Sequence, residues 1–192
     1  METLRILIAD DESIRLLSLR KQLAALGHNV VAEASTGDEA VTLASSALPD
    51  LAILDIKMPV MDGIEAAEKI TQARPIPIIL LTAYDEAQLV ERAAQANISA
   101  YLMKPVAEED LLPAITLALA RFRQFQALRQ EVADLREALE ARKTIERAKG
   151  ILMRRLNLSE DEAFRRLQKQ SQDSNRRLAQ VAEAIVVADQ FL

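Results

Sequence analysis

Four apolar stretches of strand length in the first 105 residues each run directly into a polar or charged residue. The residues at which the stretches end are, in chain order, Asp10 followed by Asp11, Asp55, Thr82 and Lys104. In an open parallel sheet, the ligand site lies at the carboxyl ends of the strands. We therefore expect one site that brings together three carboxylates, a hydroxyl and an ammonium group. Such a set suits a divalent cation together with a phosphoryl group.

Helix-period segments alternate with these stretches through residues 1–120, which is typical of a doubly wound α/β domain with a parallel sheet. The spacing predicts five strands, over 4–9, 29–34, 50–55, 77–82 and 100–103. It predicts helices over 13–26, 37–47, 63–73 and 86–96, and a further helix from about residue 107. Two of the helix starts have the spacing of an N-terminal capping box, Thr36 with Glu39 and Asp62 with Glu65.

Composition limits the classes of protein that this chain can belong to. Half of the residues are apolar, which is enough for a proper core, and the absence of cysteine excludes disulfides and thiolate chemistry. We find neither a signal-peptide pattern nor an apolar run of membrane-spanning length, so we expect a cytoplasmic protein that does not enter a membrane. Residues 1–120 carry a net charge of -9 and residues 121–192 a net charge of +4. This asymmetry indicates a cation-binding first half and an anion-binding second half.

From residue 108 onward the pattern is helical throughout. One set of apolar residues has the 3-4-3-4 spacing of a coiled-coil seam: Phe125, Leu128, Val132, Leu135 and Leu139. A second apolar stripe, rotated from the first, is formed by Ile145, Ala148, Leu152 and Leu156. We interpret the rotation as the start of a small all-α three-helix bundle, whose second helix begins at a capping box of Ser159 and Glu162. The predicted domains are therefore 1–120, a coiled-coil helix over 121–141, and the bundle over 142–192.

The acidic site predicts specific roles for its side chains. We assign Asp11 and Asp55 as direct ligands of Mg²⁺ together with the backbone carbonyl of Lys57, and Asp10 as a ligand through water. The carboxylate of Asp55 would then attack phosphorus, while Lys104 and Thr82 bind the phosphoryl oxygens. Any one of these aspartates could merely cap a helix, but that alternative explains the ordered set poorly.

The whole of residues 1–120 resembles the receiver domain of two-component response regulators. The matching residues are Asp10-Asp11, Asp55 with Met58-Pro59 and Gly63, Thr82-Ala83, Tyr101 and Lys104-Pro105. The resemblance implies that Asp55 accepts phosphate from a sensor histidine kinase, and that Thr82 and Tyr101 move together on phosphorylation. From the residues alone, Tyr101 is equally a half-buried strand residue. His28, the only histidine, is expected to be a solvated turn residue.

A basic helical face is predicted in the second half, where residues 143–177 carry a net charge of +5. The residues that could contact an anionic ligand are Lys143, Arg147 and Arg154 on one stripe, Lys149 beside them, and Arg165, Arg176 and Arg177 further along. An ordinary solvated basic face is the alternative. Phe164 is either a core residue or a platform on which an unpaired base stacks.

Residues from about 139 to 188 resemble the ANTAR domain of transcription antitermination regulators. The matching stretches are Ile145 to Met153, Leu158-Ser159, Glu162 to Phe164, Leu167, Asn175 to Leu178, Val181-Ala182 and Ile185. The resemblance implies binding of paired RNA hairpins in nascent transcripts, antitermination, and homodimerisation promoted by phosphorylation. The chain departs from the family at Gln170 to Asp173, where apolar residues are usual.

These observations predict a phosphorylation-controlled RNA-binding regulator whose only catalysis is its own phosphorylation and dephosphorylation. One alternative is a DNA-binding response regulator with a helix-turn-helix output, against which the polar link 170–177 lacks a glycine turn. The other is a phosphoaspartyl hydrolase, which needs a second carboxylate where Lys57 stands.

Overall fold

The computed structural model describes residues 3–83 and 98–189 and divides into two compact units, Met1–Gln126 and Ala127–Leu192. The first unit contains a five-stranded parallel sheet in the order β2-β1-β3-β4-β5. Its strands are β1 Arg5–Ala9, β2 Asn29–Ala34, β3 Leu51–Asp55, β4 Ile78–Thr82 and β5 Ala100–Met103. The helices that precede β4 are α1 Ser13–Ala25, α2 Gly37–Ala47 and α3 Gly63–Ala73. The predicted doubly wound α/β fold is confirmed, and the helix predicted over 86–96 lies outside the described residues.

Helices cover both faces of the sheet, so the central strands β3 and β4 are buried completely. Every residue of β3 and of β4 is buried, which explains why these strands are continuously apolar instead of alternating. One part of the core packs α2 and α3 against the sheet, and the other packs α1 and the helix that follows β5. The predicted caps of α2 and α3 are confirmed, because the side chains of Thr36 and Asp62 accept hydrogen bonds from the backbone N–H groups of Glu39 and Glu65.

The remaining helices are α4 Glu108–Leu156, α5 Glu160–Ser174 and α6 Leu178–Asp189. Since α4 is continuous, the domain boundaries predicted at residues 120 and 141 fall inside one helix and stay a prediction. In the second unit, Ala148, Leu167, Val181 and Ala182 form a buried core. The capping box of Ser159 and Glu162 is present, as the sequence predicts. Among the described residues, no helix is both long and apolar enough to cross a membrane.

Three expectations about local structure are wrong. His28 is buried, with 6% of its surface exposed, because the turn after α1 folds back onto the start of β1, where the Leu4 N–H donates to His28 Nδ1 over 3.4 Å. Leu156 ends α4 with 46% exposure and does not join the core. The link between α5 and α6 is only three residues long, because Asn175 adopts the left-handed conformation that glycine usually supplies. The missing glycine is therefore no argument against a helix-turn-helix output.

Replacing two of the glycines by alanine should change the free energy of unfolding in opposite directions. At Gly63, the first residue of α3, an added Cβ would collide with the backbone carbonyl of Asp55, so Gly63→Ala should destabilise the fold by about 1–3 kcal/mol. At Gly150, inside α4, an added Cβ meets only Arg154 Nη1 at 3.6 Å. Gly150→Ala should therefore stabilise the protein by roughly 0.5–1 kcal/mol. Denaturant unfolding of both variants measures the two effects, and a stabilising Gly63→Ala would contradict the packing described here.

Candidate functional site

The acidic site lies at the carboxyl edge of the sheet and is formed by neighbouring strands. Because Ala9 of β1 pairs with Leu54 of β3, the residues that follow them, Asp10 and Asp55, lie side by side. Both are almost fully buried, with 1% and 2% of their surface exposed, whereas Asp11 is exposed. Carboxylate oxygens of the three residues lie within 4.8 Å of one another. The predicted acidic residues thus form one cluster that could hold a metal ion.

Lys104, which directly follows β5, adds an ammonium group to the same cluster. Its backbone N–H donates to the carbonyl of Thr82 over 2.8 Å, which extends the pairing of β4 and β5 by one residue. Its Nζ lies 2.6 Å from Asp55 Oδ2 and 3.3 Å from Asp10 Oδ2. Thr82 is buried beside it with 5% exposure. The structure therefore places all the strand-end residues of the predicted site together.

Backbone groups hold the two buried carboxylates in place. The Lys57 N–H donates to Asp55 Oδ1 over 3.3 Å, and the Glu12 N–H donates to Asp10 Oδ1 over 2.9 Å. Burial raises the pKa of Asp55 above its ordinary value, although the hydrogen bond and the charge of Lys104 act in the opposite direction. The metal-ligand role predicted for the Lys57 carbonyl and the water-mediated role of Asp10 stay predictions.

Arg15 is a member of this site that the sequence analysis missed. It lies in the first turn of α1, and its Nη1 is 3.1 Å from Asp10 Oδ1 and 3.6 Å from Asp55 Oδ2. It also pairs with Glu12, and 40% of its side chain is exposed. Its position at the start of a helix that follows an acidic strand end was the signal available in the sequence. A second cation therefore borders the carboxylates from the solvent side.

Tyr101 is half-buried on β5 and packs against the part of the core that contains α2 and α3. Burial raises the pKa of its hydroxyl. This position fits the half-buried strand residue that the sequence allowed, and coupled movement with Thr82 stays a prediction.

In the second unit, most of the predicted basic residues are exposed. They are Lys143, Arg147, Arg154, Arg165, Arg176 and Arg177. Lys143 pairs with Glu140 over 2.7 Å, in a contact that leaves 61% of the lysine side chain exposed. These residues lie on helices α4 and α5 and in the link before α6, and they are open to an anionic ligand.

Lys149 does not belong to the exposed basic surface that the sequence predicts. It is buried, with 8% exposure, and its Nζ lies 2.6 Å from a carboxylate oxygen of Glu160 and 2.9 Å from one of Glu146. The same ammonium group lies 5.8 Å from the ring centroid of Phe164. Phe164 is half-buried and lies outside the buried core of the unit. Lys149 thus ties α4 to the first turn of α5 and covers one face of the Phe164 ring.

The fold and the acidic cluster define a receiver domain, and the chain belongs to the response regulators. Residues 6–116 match the response regulator receiver domain, and residues 133–186 match the ANTAR domain. Both resemblances drawn from the sequence are therefore confirmed. A receiver domain with an ANTAR output fits a regulator rather than a catalytic enzyme.

The chain is similar over nearly its whole length to the transcriptional regulatory protein PdtaR of Mycobacterium tuberculosis strain H37Rv. The two are 46% identical over 182 residues, which are 95% of this chain and 89% of PdtaR. Among solved structures, it resembles the signal receiver domain of a modulated diguanylate cyclase from Desulfovibrio desulfuricans G20, with a TM-score of 0.60, 32% identity, and coverage of 64% of this chain and 98% of that one. It also resembles a chain of the CheX-CheY-BeF3-Mg²⁺ complex of Borrelia burgdorferi, with a TM-score of 0.55, 27% identity, and coverage of 58% and 85%.

Removal of Arg15 should strengthen cation binding. Arg15→Met deletes a positive charge beside Asp10 and Asp55, so without divalent cations the melting temperature should fall, while Mg²⁺ should bind roughly three- to tenfold more tightly. The rise in melting temperature with Mg²⁺ concentration measures the affinity. Arg20→Met is the matched control, because Arg20 lies on the same helix as Arg15 but pairs with Glu33 of β2, away from the acidic cluster. An unchanged Mg²⁺ affinity in Arg15→Met would show that the guanidinium does not oppose the cation.

The raised pKa of Asp55 predicts how stability depends on pH without divalent cations. Because the folded-state pKa lies above the ordinary value of 3.8, ionisation of Asp55 opposes folding, and this penalty grows as the pH rises from the ordinary value through the folded-state pKa. Asn carries no such penalty. Asp55→Asn should therefore raise the melting temperature in chelator at pH 7, by more than at pH 4, whereas the exposed control Asp173→Asn should show little change. A larger gain at the lower pH would contradict the burial effect.

Proposed function

We propose that this protein is a phosphorylation-controlled regulator that binds RNA hairpins in nascent transcripts and acts in transcription antitermination. The observation that carries the proposal is the arrangement of Asp55, Asp10, Asp11 and Lys104 at one sheet edge, in a chain whose second half matches the ANTAR domain. The similarity to PdtaR, a transcriptional regulatory protein, supports an output in transcription.

The acidic cluster has the chemistry of a magnesium site. Its donors are carboxylate oxygens, which Mg²⁺ prefers, and we propose Asp11, Asp55 and the Lys57 carbonyl as ligands, with Asp10 acting through water. When bound, Mg²⁺ supplies positive charge that offsets the negative charge of the phosphoryl oxygens. The Borrelia complex described above contains BeF3 and Mg²⁺ together with CheY, which supports this assignment.

The protein's own side chains would carry the transfer from a sensor histidine kinase. A carboxylate oxygen of Asp55 attacks phosphorus, the bond from phosphorus to the kinase histidine breaks, and the histidine keeps the electron pair. Lys104, now 2.6 Å from Asp55 Oδ2, exchanges this contact for one with a phosphoryl oxygen. Thr82 hydrogen-bonds to a second phosphoryl oxygen, and this movement would draw Tyr101 with it.

Phosphorylation should require both Asp55 and a divalent cation. Asp55→Asn keeps the shape of the side chain but removes the nucleophile, so incubation with a small-molecule phosphodonor and Mg²⁺ should leave its mass unchanged. Wild type should gain one phosphoryl group, and chelation of Mg²⁺ should abolish that gain. Lys104→Ala should still be phosphorylated but should respond poorly, because the phosphoryl group lacks its cationic partner. Phosphorylation of Asp55→Asn to the wild-type extent would refute the assignment, and Asp50→Asn serves as the control at the opposite end of the strand.

The exposed basic residues of the second unit would contact RNA phosphates. We propose direct contacts for Lys143, Arg147, Arg154, Arg165, Arg176 and Arg177, which are all exposed. Lys149 already satisfies two carboxylates and is buried, so its role is to hold α5 and the ring of Phe164 in place. The uncovered part of Phe164 would then stack on an unpaired loop base.

The salt dependence of RNA affinity distinguishes residues that contact RNA phosphates from Lys149, which is proposed to hold the surface in place. Each lost phosphate contact lowers the slope of log affinity against log salt by roughly 0.7–0.9. Arg147→Gln should therefore flatten the slope for an RNA of two short-loop hairpins, whereas Lys149→Gln should weaken binding with an unchanged slope. A flattened slope in Lys149→Gln would make it a phosphate contact. Tighter binding of duplex DNA than of the RNA would favour the DNA-binding alternative.

Assembly would use the apolar seam of α4. Its five predicted residues keep 38–63% of their surface exposed in the single chain, which leaves an apolar stripe for a second copy. We propose that phosphorylation promotes this homodimer. Two RNA-binding units in one dimer would engage paired hairpins with an affinity gain from effective concentration.

A further inference from the structure

The seam of α4 carries charges whose pattern distinguishes the two ways in which two copies can pair. With Val132 at heptad position a and Leu128 and Leu135 at d, the flanking e positions are all basic: Arg129, Arg136 and Lys143. The flanking g positions are Gln124, Glu131 and Ala138. Glu131 and Arg136 are exposed beside the apolar stripe, so both can reach a second helix.

A parallel pair and an antiparallel pair bring different flanking residues together. In a parallel, in-register pair, a g residue lies opposite the e residue five positions further along the second copy, so Glu131 faces Arg136 twice by symmetry. In an antiparallel pair, e residues face e residues. When Leu128 of one copy shares a layer with Leu139 of the other, Arg129 lies opposite Arg136. The same charges thus attract in one arrangement and repel in the other.

We infer that two copies of this chain pair in parallel and in register along α4, with Glu131 of each copy bound to Arg136 of the other. The residue types within the seam favour the same arrangement, because a β-branched residue at a with leucine at d is typical of parallel two-stranded coiled coils. This inference rests on the homodimer of the proposed function and specifies its geometry. In a parallel pair, residue 142 of both copies lies at the same end of the seam, so the two RNA-binding units begin side by side.

Cysteine cross-linking tests the orientation directly, because the natural chain contains no cysteine. Leu128→Cys and Leu139→Cys are made as separate full-length proteins, mixed in equal amounts, phosphorylated with a small-molecule phosphodonor and Mg²⁺, and oxidised. The two positions are roughly 16 Å apart along the helix axis, whereas a disulfide needs Cα atoms within about 7 Å. Peptide mass spectrometry then identifies which positions are joined.

We expect disulfides between two copies of residue 128 and between two copies of residue 139. Disulfides that join 128 mainly to 139 would overturn the parallel arrangement in favour of the antiparallel one. Sedimentation of phosphorylated wild type is measured first. A phosphorylated wild type that stays monomeric would refute the homodimer of the proposed function, and an ordinary dimer with 128-to-139 cross-links would refute only the orientation.

Reversing the charge of Arg136 should change the affinity of the dimer in opposite directions for the parallel and the antiparallel arrangement. Arg136→Glu should weaken the parallel dimer roughly three- to tenfold, because Glu131 of each copy would then lie opposite a glutamate of the other copy. In an antiparallel dimer the same change would place glutamate opposite Arg129 and strengthen association. Glu131→Arg combined with Arg136→Glu should restore the dimer, and Glu137→Arg, on the outer face of the helix, is the control that should change little. A dimer strengthened by Arg136→Glu would overturn the inference.

Discussion

The buried pair of carboxylates at the end of β1 and β3 is the constraint on which the first unit depends. Parallel pairing places Asp10 and Asp55 next to each other, and burial makes their negative charges expensive unless cations lie close by. Lys104 supplies one such cation at the end of β5, and Arg15 supplies another from α1. Because both cations also contact Asp55, a change in the charge of Asp55 alters the contacts of Lys104, after β5, and of Arg15, on α1.

A similar arrangement of opposite charges organises the second unit. Lys149 projects from α4 to the carboxylate of Glu160 at the start of α5, and its hydrogen bond lowers the pKa of that carboxyl. The contact holds two helices together next to Phe164. It also removes Lys149 from the open basic surface, so the exposed arginines and Lys143 are left to meet an anionic ligand. One lysine thus stabilises the pair of helices that carries several of the exposed basic residues.

The parts that followed from the sequence are those that depend on local patterns. Strand ends, helix caps and the residues of the acidic cluster could be predicted because parallel strands end at one edge and because caps have fixed spacing. Helical periodicity alone placed neither Arg15 nor Lys149, because their partners include residues at strand ends or on another helix. His28 and the link that contains Asn175 were misjudged for two separate reasons. The first is buried by a fold-back onto β1, and in the second Asn175 adopts a left-handed conformation that asparagine tolerates.

Control of RNA binding by Asp55 is tested most directly by comparing RNA binding before and after phosphorylation of the full-length protein. Wild type and Asp55→Asn are titrated with an RNA of two hairpins and with the single hairpin, each with and without a phosphodonor and Mg²⁺. Phosphorylation should tighten binding of wild type to the double hairpin by about tenfold or more, through effective concentration, with a much smaller gain on the single hairpin. Asp55→Asn should show no gain on either RNA. Equal affinities of phosphorylated and unphosphorylated wild type for the double hairpin would contradict control of RNA binding by Asp55.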